Sequence, residues 1–464
     1  MVARKATEKL FSAALAACLV AAGTGCNGPG ARLGPPGFRN VRLAVTETSL
    51  GRIPRGMVTA CEGSPMAESV TISPDAMRAA YVVERDGKHH LVVNGTVGPA
   101  YDEIAQVREN GIEGDERMPT GQFAVFSPDS RRVAYKARRG GKWMLVVDGV
   151  ETRGYGDILW ERSGRRDIDV FSPNSRHFVM SVTRPGERFP VPIYDGNETT
   201  TLDEKAWAPV ERESRKGTSR RIERDGKYRM VVNGVEGKPY GWVGHGSYIA
   251  GGHGSYFQAV LSRDGRRYAY AARRGNKKDG AWLVVVDGTE SPEYTAVGEI
   301  VFSPNGRHLA YAGELGSTGR RTSSKHRSRW FIVLDGVKGK VHRGVMGLHF
   351  SPDGRRLVYR TSGRSEPALI ETGGRVVCNG VAGKRYDRIA VMTHSPDGRY
   401  LAYYAERGGC PLVVVETAEC AQYRELLAAP RFTGPGALRF VALCDGEILR
   451  VDARVVENGC AGGT

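Results

Sequence analysis

Short apolar runs alternate with turn residues along most of this chain, and they recur in a fixed order. In residues 349–359 a short strand leads into Ser351-Pro352-Asp353-Gly354, and a second apolar strand follows. Proline presets the φ angle of a turn, aspartate bonds the nearby backbone, and glycine accepts a positive φ. No helical period of 3.6 residues runs through the segment. The pattern therefore predicts a β-hairpin.

The hairpin signature recurs, with a serine opening each copy. Most of these serines lie 41 to 54 residues apart, and the one gap of 90 is twice 45. A second apolar strand in each unit ends in Asn-Gly or Asp-Gly, which suits hairpin turns, and one more short strand follows. Each unit thus predicts four strands in about 45 residues. The opening serines are Ser73, Ser127, Ser172, Ser262, Ser303, Ser351 and Ser395.

A period of 40–50 residues with four strands is typical of a β-propeller. Strands such as Val133-Ala134-Tyr135 are apolar at consecutive positions, which favours burial of both faces between two neighbouring blades. Seven clear units and two degenerate ones predict about eight four-stranded blades, with seven and nine as the bounds. We expect the all-β propeller to span residues 40–458. A strand near Val41–Thr46 should share the closing blade with the C-terminal hairpin.

The phrase Phe350-Ser351-Pro352-Asp353-Gly354-Arg355-Arg356-Leu357 resembles the repeat of TolB-type periplasmic propellers, a WD-repeat-like family. The resemblance covers residues 68–455 and implies the fold, whereas this repeat serves many unrelated functions. TolB proteins carry an α/β domain before the propeller. Only about forty residues separate Cys26 from the first repeat, so we expect no such domain here.

The N-terminus predicts an export signal in residues 1–25. Arg4, Lys5 and Lys9 form a positive head, and residues 10–22 are apolar or small. The small residues before Cys26 resemble a bacterial lipoprotein signal, which implies lipidation of Cys26, although Gly23 stands where that family usually has leucine. Cleavage that leaves Cys26 unmodified is the alternative. Residues 26–39 predict a flexible tether, and the protein is expected in the periplasm or at the cell surface.

The formal net charge is +16 at pH 7, and such an excess favours anionic partners. We expect a cell-envelope protein, an anionic polysaccharide or a lipid surface, and export argues against nucleic acid. Arginine pairs recur at two places in the unit and are candidates for a basic rim. The alternative is that they are solvated strand ends. The candidate residues are Arg131, Arg132, Arg138, Arg139, Arg266, Arg267, Arg273, Arg274, Arg355 and Arg356.

Six cysteines remain after Cys18 in the signal and Cys26, and an oxidising compartment permits disulfides between them. Cys410 and Cys420 flank one strand and are candidates for a local bridge. Cys61 with Cys444 or Cys460 would tie the chain ends together. Buried free thiols are the alternative for these residues and for Cys378. The spacing contains no Cys-x-x-Cys pair, and we predict no metal site and no cofactor.

The sequence favours a monomeric, non-catalytic binding module or scaffold of the cell envelope. A prolyl oligopeptidase-type enzyme would need a catalytic domain with a Gly-x-Ser-x-Gly elbow, which the sequence lacks. A lyase or hydrolase with its site in the central channel is the alternative hypothesis. In that case His349 or His394, on the predicted innermost strands, would be candidates.

Overall fold

The computed structural model describes most of the repeat region. All regular structure in that part of the chain is β-strand, which confirms the predicted all-β class. The predicted signal, Cys26, Cys61 and Cys460 lie outside it. The described residues are 33–35, 37–53, 70–106, 123–159, 170–184, 191–198, 218–244, 258–275, 280–316, 329–362 and 373–457.

The strands form separate antiparallel sheets in chain order, apart from β1 (Val41–Arg52), which joins the last sheet. The first sheet contains β2 (Val70–Ile72), β3 (Ala79–Arg85), β4 (Lys88–Val93) and β5 (Thr96–Val97). The second contains β6 (Glu103–Ile104), β7 (Val125–Phe126), β8 (Val133–Arg139), β9 (Lys142–Val147) and β10 (Val150–Glu151). The third contains β11 (Asp157–Leu159), β12 (Val179–Thr183), β13 (Val191–Tyr194) and β14 (Asn197–Glu198).

The middle three sheets follow the same plan, and the fourth has three strands within the described residues. The fourth contains β15 (Ser219–Arg224), β16 (Lys227–Val232) and β17 (Val235–Glu236). The fifth contains β18 (Trp242–Gly244), β19 (Val260–Leu261), β20 (Tyr268–Arg273), β21 (Trp282–Val286) and β22 (Thr289–Glu290). The sixth contains β23 (Ala296–Phe302), β24 (Leu309–Glu314), β25 (Trp330–Leu334) and β26 (Val337–His342).

The last three sheets each have four strands. The seventh contains β27 (Gly344–Phe350), β28 (Leu357–Ser362), β29 (Gly374–Cys378) and β30 (Val381–Tyr386). The eighth contains β31 (Arg388–His394), β32 (Leu401–Arg407), β33 (Cys410–Val415) and β34 (Ala418–Glu419). The ninth contains β35 (Glu425–Gly434), β36 (Ala437–Cys444) and β37 (Glu447–Glu457), with β1 as its outer strand.

The two ends of the chain meet in the ninth sheet. β1 pairs antiparallel with β37 from Val41 opposite Glu457 to Arg52 opposite Glu447. The predicted sharing of one sheet by the N-terminal strand and the C-terminal hairpin is therefore confirmed. The strand runs past the expected end at Thr46 as far as Arg52.

Apolar cores lie between consecutive sheets. Val82 and Tyr135 belong to one core between the first and second sheets, and Tyr81 and Leu443 join the first sheet to the ninth. Similar cores join the second sheet to the third and each consecutive pair from the fourth to the ninth. Sheets buried on both faces and stacked side by side are the architecture of a β-propeller.

The described part of the chain forms nine sheets, whereas the sequence predicted about eight blades. The expected count was one below the nine candidate units, seven clear and two degenerate. Both degenerate units form sheets: residues 219–236, which have lost the turn signature, form one, and residues 425–457 form another with β1. Nine is the upper bound of the predicted range.

The recurring turn is built by local hydrogen bonds. Ser351 Oγ donates to Asp353 Oδ1 at 2.5 Å and accepts from the backbone N of Arg356 at 2.9 Å. Gly354 adopts a φ of 71°, a left-handed conformation that favours glycine. The seven opening serines are all buried. Serine, aspartate and glycine therefore fold the turn.

Part of the predicted tether lies against the propeller. Residues 33–35 and 37–39, which we call the N-terminal strap, run along the seventh and eighth sheets. The backbone N of Gly34 donates to the Arg355 carbonyl at 2.8 Å, and the backbone N of Arg39 donates to Glu416 Oε2 at 2.8 Å. The tether prediction for residues 26–39 is therefore wrong for these residues, because glycine and arginine backbone groups here find fixed partners.

The local disulfide prediction is wrong. Among the described residues Cys378, Cys410, Cys420 and Cys444 are free thiols. The backbone N of Cys420 donates to the Val413 carbonyl at 2.9 Å, which places Cys420 three residues along β33 from Cys410. That offset is roughly 10 Å, beyond the reach of a disulfide.

Candidate functional site

In the sheets that have both, the turn opened by serine and the Asp-Gly or Asn-Gly turn before the last strand lie at the same end. Antiparallel strands place the Ser-Pro-Asp-Gly turn and the Asp-Gly or Asn-Gly turn side by side. In the second sheet the backbone N of Val133, just after the first turn, donates to Asp148 Oδ1 in the second turn at 2.8 Å. We call this end the turn rim.

Turns of consecutive sheets contact one another along the turn rim. The backbone N of Asp75 donates to Ser130 Oγ at 2.8 Å, and the backbone N of Asp129 donates to Ser175 Oγ at 3.0 Å. A Cβ at Gly398 would lie 2.5 Å from Asp353 Cγ, so only glycine fits between those turns. The rim is therefore a continuous surface over these stretches.

The first arginine of the turn pairs projects from this rim. Arg131 and Arg355 are exposed, and the Arg266 side chain is 87% exposed. The same turn position holds three more exposed arginines, which the search for Arg-Arg pairs missed because histidine or tyrosine follows them. Turn position, counted from the serine, is the signal that finds them. The six rim arginines are Arg131, Arg176, Arg266, Arg307, Arg355 and Arg399.

The second arginine of each turn pair fastens one sheet to the next. Arg132 Nε donates to Asp148 Oδ2 at 2.9 Å, and its Nη1 donates to the Arg176 carbonyl of the third sheet at 3.0 Å. Its guanidinium also lies 5.2 Å from the ring centre of Phe171 in that sheet. These contacts hold the guanidinium at the junction of the second and third sheets.

Arg267 repeats this arrangement between the fifth and sixth sheets. Its Nε donates to Asp287 Oδ2 at 3.0 Å, and its Nη1 donates to the Gly306 carbonyl at 3.1 Å. Its guanidinium lies 5.2 Å from the Phe302 ring centre. Arg356 occupies the same turn position between the seventh and eighth sheets and is buried. The second arginines are therefore structural.

The other recurring pairs lie at the opposite end of the sheets. Arg138 and Arg139 close β8, a seven-residue strand that starts at the turn rim and is roughly 20 Å long. Arg139 pairs with Glu151 at 3.0 Å, and Tyr101 donates to the same carboxylate at 2.8 Å. The ten predicted arginines are thus divided between two rims.

Arg273 and Arg274 occupy the matching end of β20. Arg274 pairs with Glu290 at 2.6 Å and with Glu293 at 2.7 Å. The Arg273 guanidinium lies 5.5 Å from the ring centre of Trp282. Acidic and aromatic neighbours therefore engage the pairs at this end. Of the six rim arginines, Arg399 pairs with Glu457 at 2.8 Å, whereas the other five project into solvent.

Carboxylates of the turns lie between the rim arginines. Hydrogen bonds from Ser127 and from the backbone of Arg131 hold the pKa of Asp129 below its ordinary value. The Asp264 carboxyl has the same kind of partners and the same direction of shift. These aspartates stay anionic at neutral pH and face into their own turns. The rim is therefore an array of projecting cations above recessed anions.

Two histidines lie between the inner strands of the seventh and eighth sheets. The ring centres of His349 and His394 are 5.1 Å apart. His349 Nδ1 lies 2.8 Å from the Gly347 carbonyl and donates to it, whereas His349 Nε2 and both His394 nitrogens are buried without a hydrogen-bond partner. Burial lowers the pKa of both, and His349 and Arg356 help to lower that of His394 to about 3.

The histidine pair replaces an apolar pair. His349 lies two residues before its opening serine, and His394 lies directly before the serine of the next sheet. The same two positions hold Val301 and Phe350 one sheet earlier, and Val125 and Phe171 between the second and third sheets. Within the described ranges, no group of three or more His, Cys, Asp or Glu side chains is arranged to hold a metal ion. Among the same residues, no helix has the length and apolar character to cross a bilayer.

No family model and no curated protein matches this chain. Solved structures resemble it at low identity. TolB from Acinetobacter baumannii is 11% identical over 61% of this chain and 78% of its own, with a TM-score of 0.23. An oligogalacturonate lyase from Vibrio parahaemolyticus is 10% identical over 92% of this chain and 99% of its own, with a TM-score of 0.25. Hydrazine synthase of Kuenenia stuttgartiensis is 10% identical over 77% of this chain and 99% of its own, also with a TM-score of 0.25. TM-scores this low bear on neither the blade count nor the function.

Proposed function

We propose that this chain is a nine-bladed, non-catalytic propeller that binds a macromolecular partner of the cell envelope through its turn rim. Export by residues 1–25 and anchoring through Cys26 belong to the same proposal. The proposal includes direct packing of the third sheet against the fourth, which would close the ring of blades. The nine sheets and the core between the ninth and the first support the ring.

The rim arginines are the observation that carries the proposal. The fold itself occupies the second arginine of each turn pair, and acids or aromatic rings engage the pairs at the opposite end. Five of the six rim arginines remain, repeated at one turn position and exposed, whereas Arg399 pairs with Glu457. Repeated arginines on one surface favour a partner with repeated anionic or hydrogen-bond acceptor groups.

Capture from envelope extracts at low and high salt tests the proposal. The protein is compared with the rim variant R131S/R266S/R355S and with the control variant R85S/K142S/R424S, which removes exposed cations at the opposite end. We expect partner retention at low salt by the protein and the control, and at least a fivefold loss by the rim variant. No retained partner, or equal loss in both variants, would contradict the proposal.

A further inference from the structure

Exposed apolar side chains share the turn rim with the arginines. Val150, Val235 and Val337 each follow an Asp-Gly or Asn-Gly turn, and these residues are 70–72% exposed. Of the ten exposed large apolar residues in the described ranges, seven lie at this rim. These seven are Met77, Val97, Val150, Val235, Val337, Val381 and Val456.

The clustering at one end needs an explanation. Single exposed apolar side chains are ordinary on protein surfaces, but repeated apolar groups on one face mark an interaction site. Valine directly follows the second turn in four sheets, and arginine occupies one position of the first turn in six. Thr289 replaces the valine in the fifth sheet, so turn geometry does not itself require an apolar residue after Asp-Gly.

The N-terminal strap reaches the same rim. Gly34 bonds to the turn residue Arg355, and the Asn379 side chain in the second turn of that sheet donates to the Gly34 carbonyl at 3.1 Å. Leu33 is the seventh residue after Cys26, a span of at most about 25 Å. A chain anchored at Cys26 would therefore hold this rim, and not the opposite one, near the bilayer.

We propose that the turn rim lies on an anionic lipid surface. This inference rests on the proposed function, since it names the partner of that rim. The rim arginines contact lipid phosphates, and the valines enter the headgroup region beside them, as in proteins that lie on membranes. The recessed turn carboxylates weaken each contact, so adhesion depends on many sheets acting together and supplements the anchor.

A lipid surface fits the rim better than a protein partner. Protein interfaces depend on a few buried aromatic or arginine anchors in a central pocket. The rim instead offers small, equivalent contacts distributed over many sheets. A bilayer is wide and presents the same phosphate groups everywhere, so it meets all sheets alike.

Vesicle sedimentation of the full protein carrying Cys26→Ser tests the inference without an acyl chain. Vesicles of phosphatidylcholine with one quarter phosphatidylglycerol are compared with pure phosphatidylcholine. We expect at least tenfold stronger binding to the anionic vesicles. R131S/R266S/R355S and V150S/V235S/V337S should each weaken it at least fivefold, and R85S/K142S/R424S should leave it unchanged. Unaltered unfolding midpoints confirm that the variants are folded.

Equal binding to both vesicle types, or equal loss in the rim and control variants, overturns the lipid assignment. If the rim variants lose a protein captured from extracts while vesicle binding is absent, the rim is a protein-binding surface. In that case the proposed function stands and this inference fails.

Discussion

Arg356 and Glu416 form a buried ion pair that joins the seventh sheet to the eighth. Arg356 Nη1 lies 2.5 Å from Glu416 Oε1, and the two side chains are 9% and 0% exposed. Arg356 Nη2 donates to Glu416 Oε2 at 3.0 Å, and that oxygen also accepts from Arg39 of the N-terminal strap. Burial lowers the pKa of Arg356, but the Glu416 carboxylate outweighs this and raises it overall.

Glu416→Gln should destabilise the fold strongly. The substitution leaves a buried guanidinium without its charge partner, which typically costs about 3–5 kcal/mol. The midpoint of urea unfolding, followed by tryptophan fluorescence, measures this. Asp148→Asn is the matched control, because its pair with Arg132 is partly exposed and should cost at most about 1 kcal/mol. Equal effects would contradict a special role for the buried pair.

Neighbouring arginines of one turn should behave differently. Arg132→Ala removes hydrogen bonds to Asp148 and to the third sheet, together with the contact on Phe171. We expect a loss of about 1–3 kcal/mol. Arg131→Ala removes an exposed side chain and should cost less than about 0.5 kcal/mol. Urea unfolding of both variants makes the comparison, and a larger loss for Arg131→Ala would refute the assignment of the two positions.

The histidine pair should make stability depend on acid pH. The folded-state pKa values of His349 and His394 are lowered, so the unfolded chain binds more protons below about pH 6.5. The contribution of these neutral histidines to the unfolding free energy is fully present above that pH and is lost as the pH falls toward 3. One such histidine contributes a loss of up to about 1.4 kcal/mol per pH unit.

The double variant H349V/H394F restores the apolar pair found between other sheets. Its urea midpoint should fall less between pH 7 and pH 4.5 than that of the unmodified protein. The valine and phenylalanine also remove three buried polar atoms without partners. A pH dependence identical in both proteins would show that other groups control the acid response.

Val391 occupies a backbone conformation that suits glycine. Its φ is 37°, and the equivalent position in the seventh sheet is Gly347 with a φ of 66°. Val391 is 52% exposed, so replacing it forfeits little burial. Val391→Gly should raise the unfolding free energy by about 1 kcal/mol through relief of strain.

Gly347→Val is the reciprocal test of that position. A Cβ at Gly347 would lie 3.0 Å from Met392 Cε, and the positive φ would add strain. We expect this variant to be destabilised in the same urea assay. A destabilised Val391→Gly together with an unaffected Gly347→Val would show that the two positions are not equivalent.

The repeat architecture could be predicted because turn chemistry is local. Ser351, Pro352 and Gly354 specify a hairpin wherever they occur, and their spacing specifies a propeller. The count of sheets could not be predicted in the same way. Residues 219–236 form a sheet by pairing alone, without the Ser-Pro-Asp-Gly phrase that marked the other units.

The roles of the arginines depend on contacts between sheets, which sequence spacing does not reveal. Arg131 and Arg132 are adjacent and chemically identical, yet one projects and the other bonds to the next sheet. Arg132 and Arg139 lie at opposite ends of β8 and therefore on different rims. The pairing of Arg356 with Glu416, sixty residues away, likewise has no signal in the repeat. Arg132 pairs with an aspartate in the second turn of its own sheet. In the seventh sheet Asn379 replaces that aspartate, and Arg356 pairs with the next sheet instead.

The register between β1 and β37 sets an order of events for a chain that is made or threaded from its N-terminus. Residues 41–52 emerge first, but their only strand partner in the described residues is 447–457, which emerges last. The earliest strand must therefore wait, unpaired, through the formation of eight other sheets. A shortened or stalled chain would keep an open strand edge at its start, available to a second unfinished molecule.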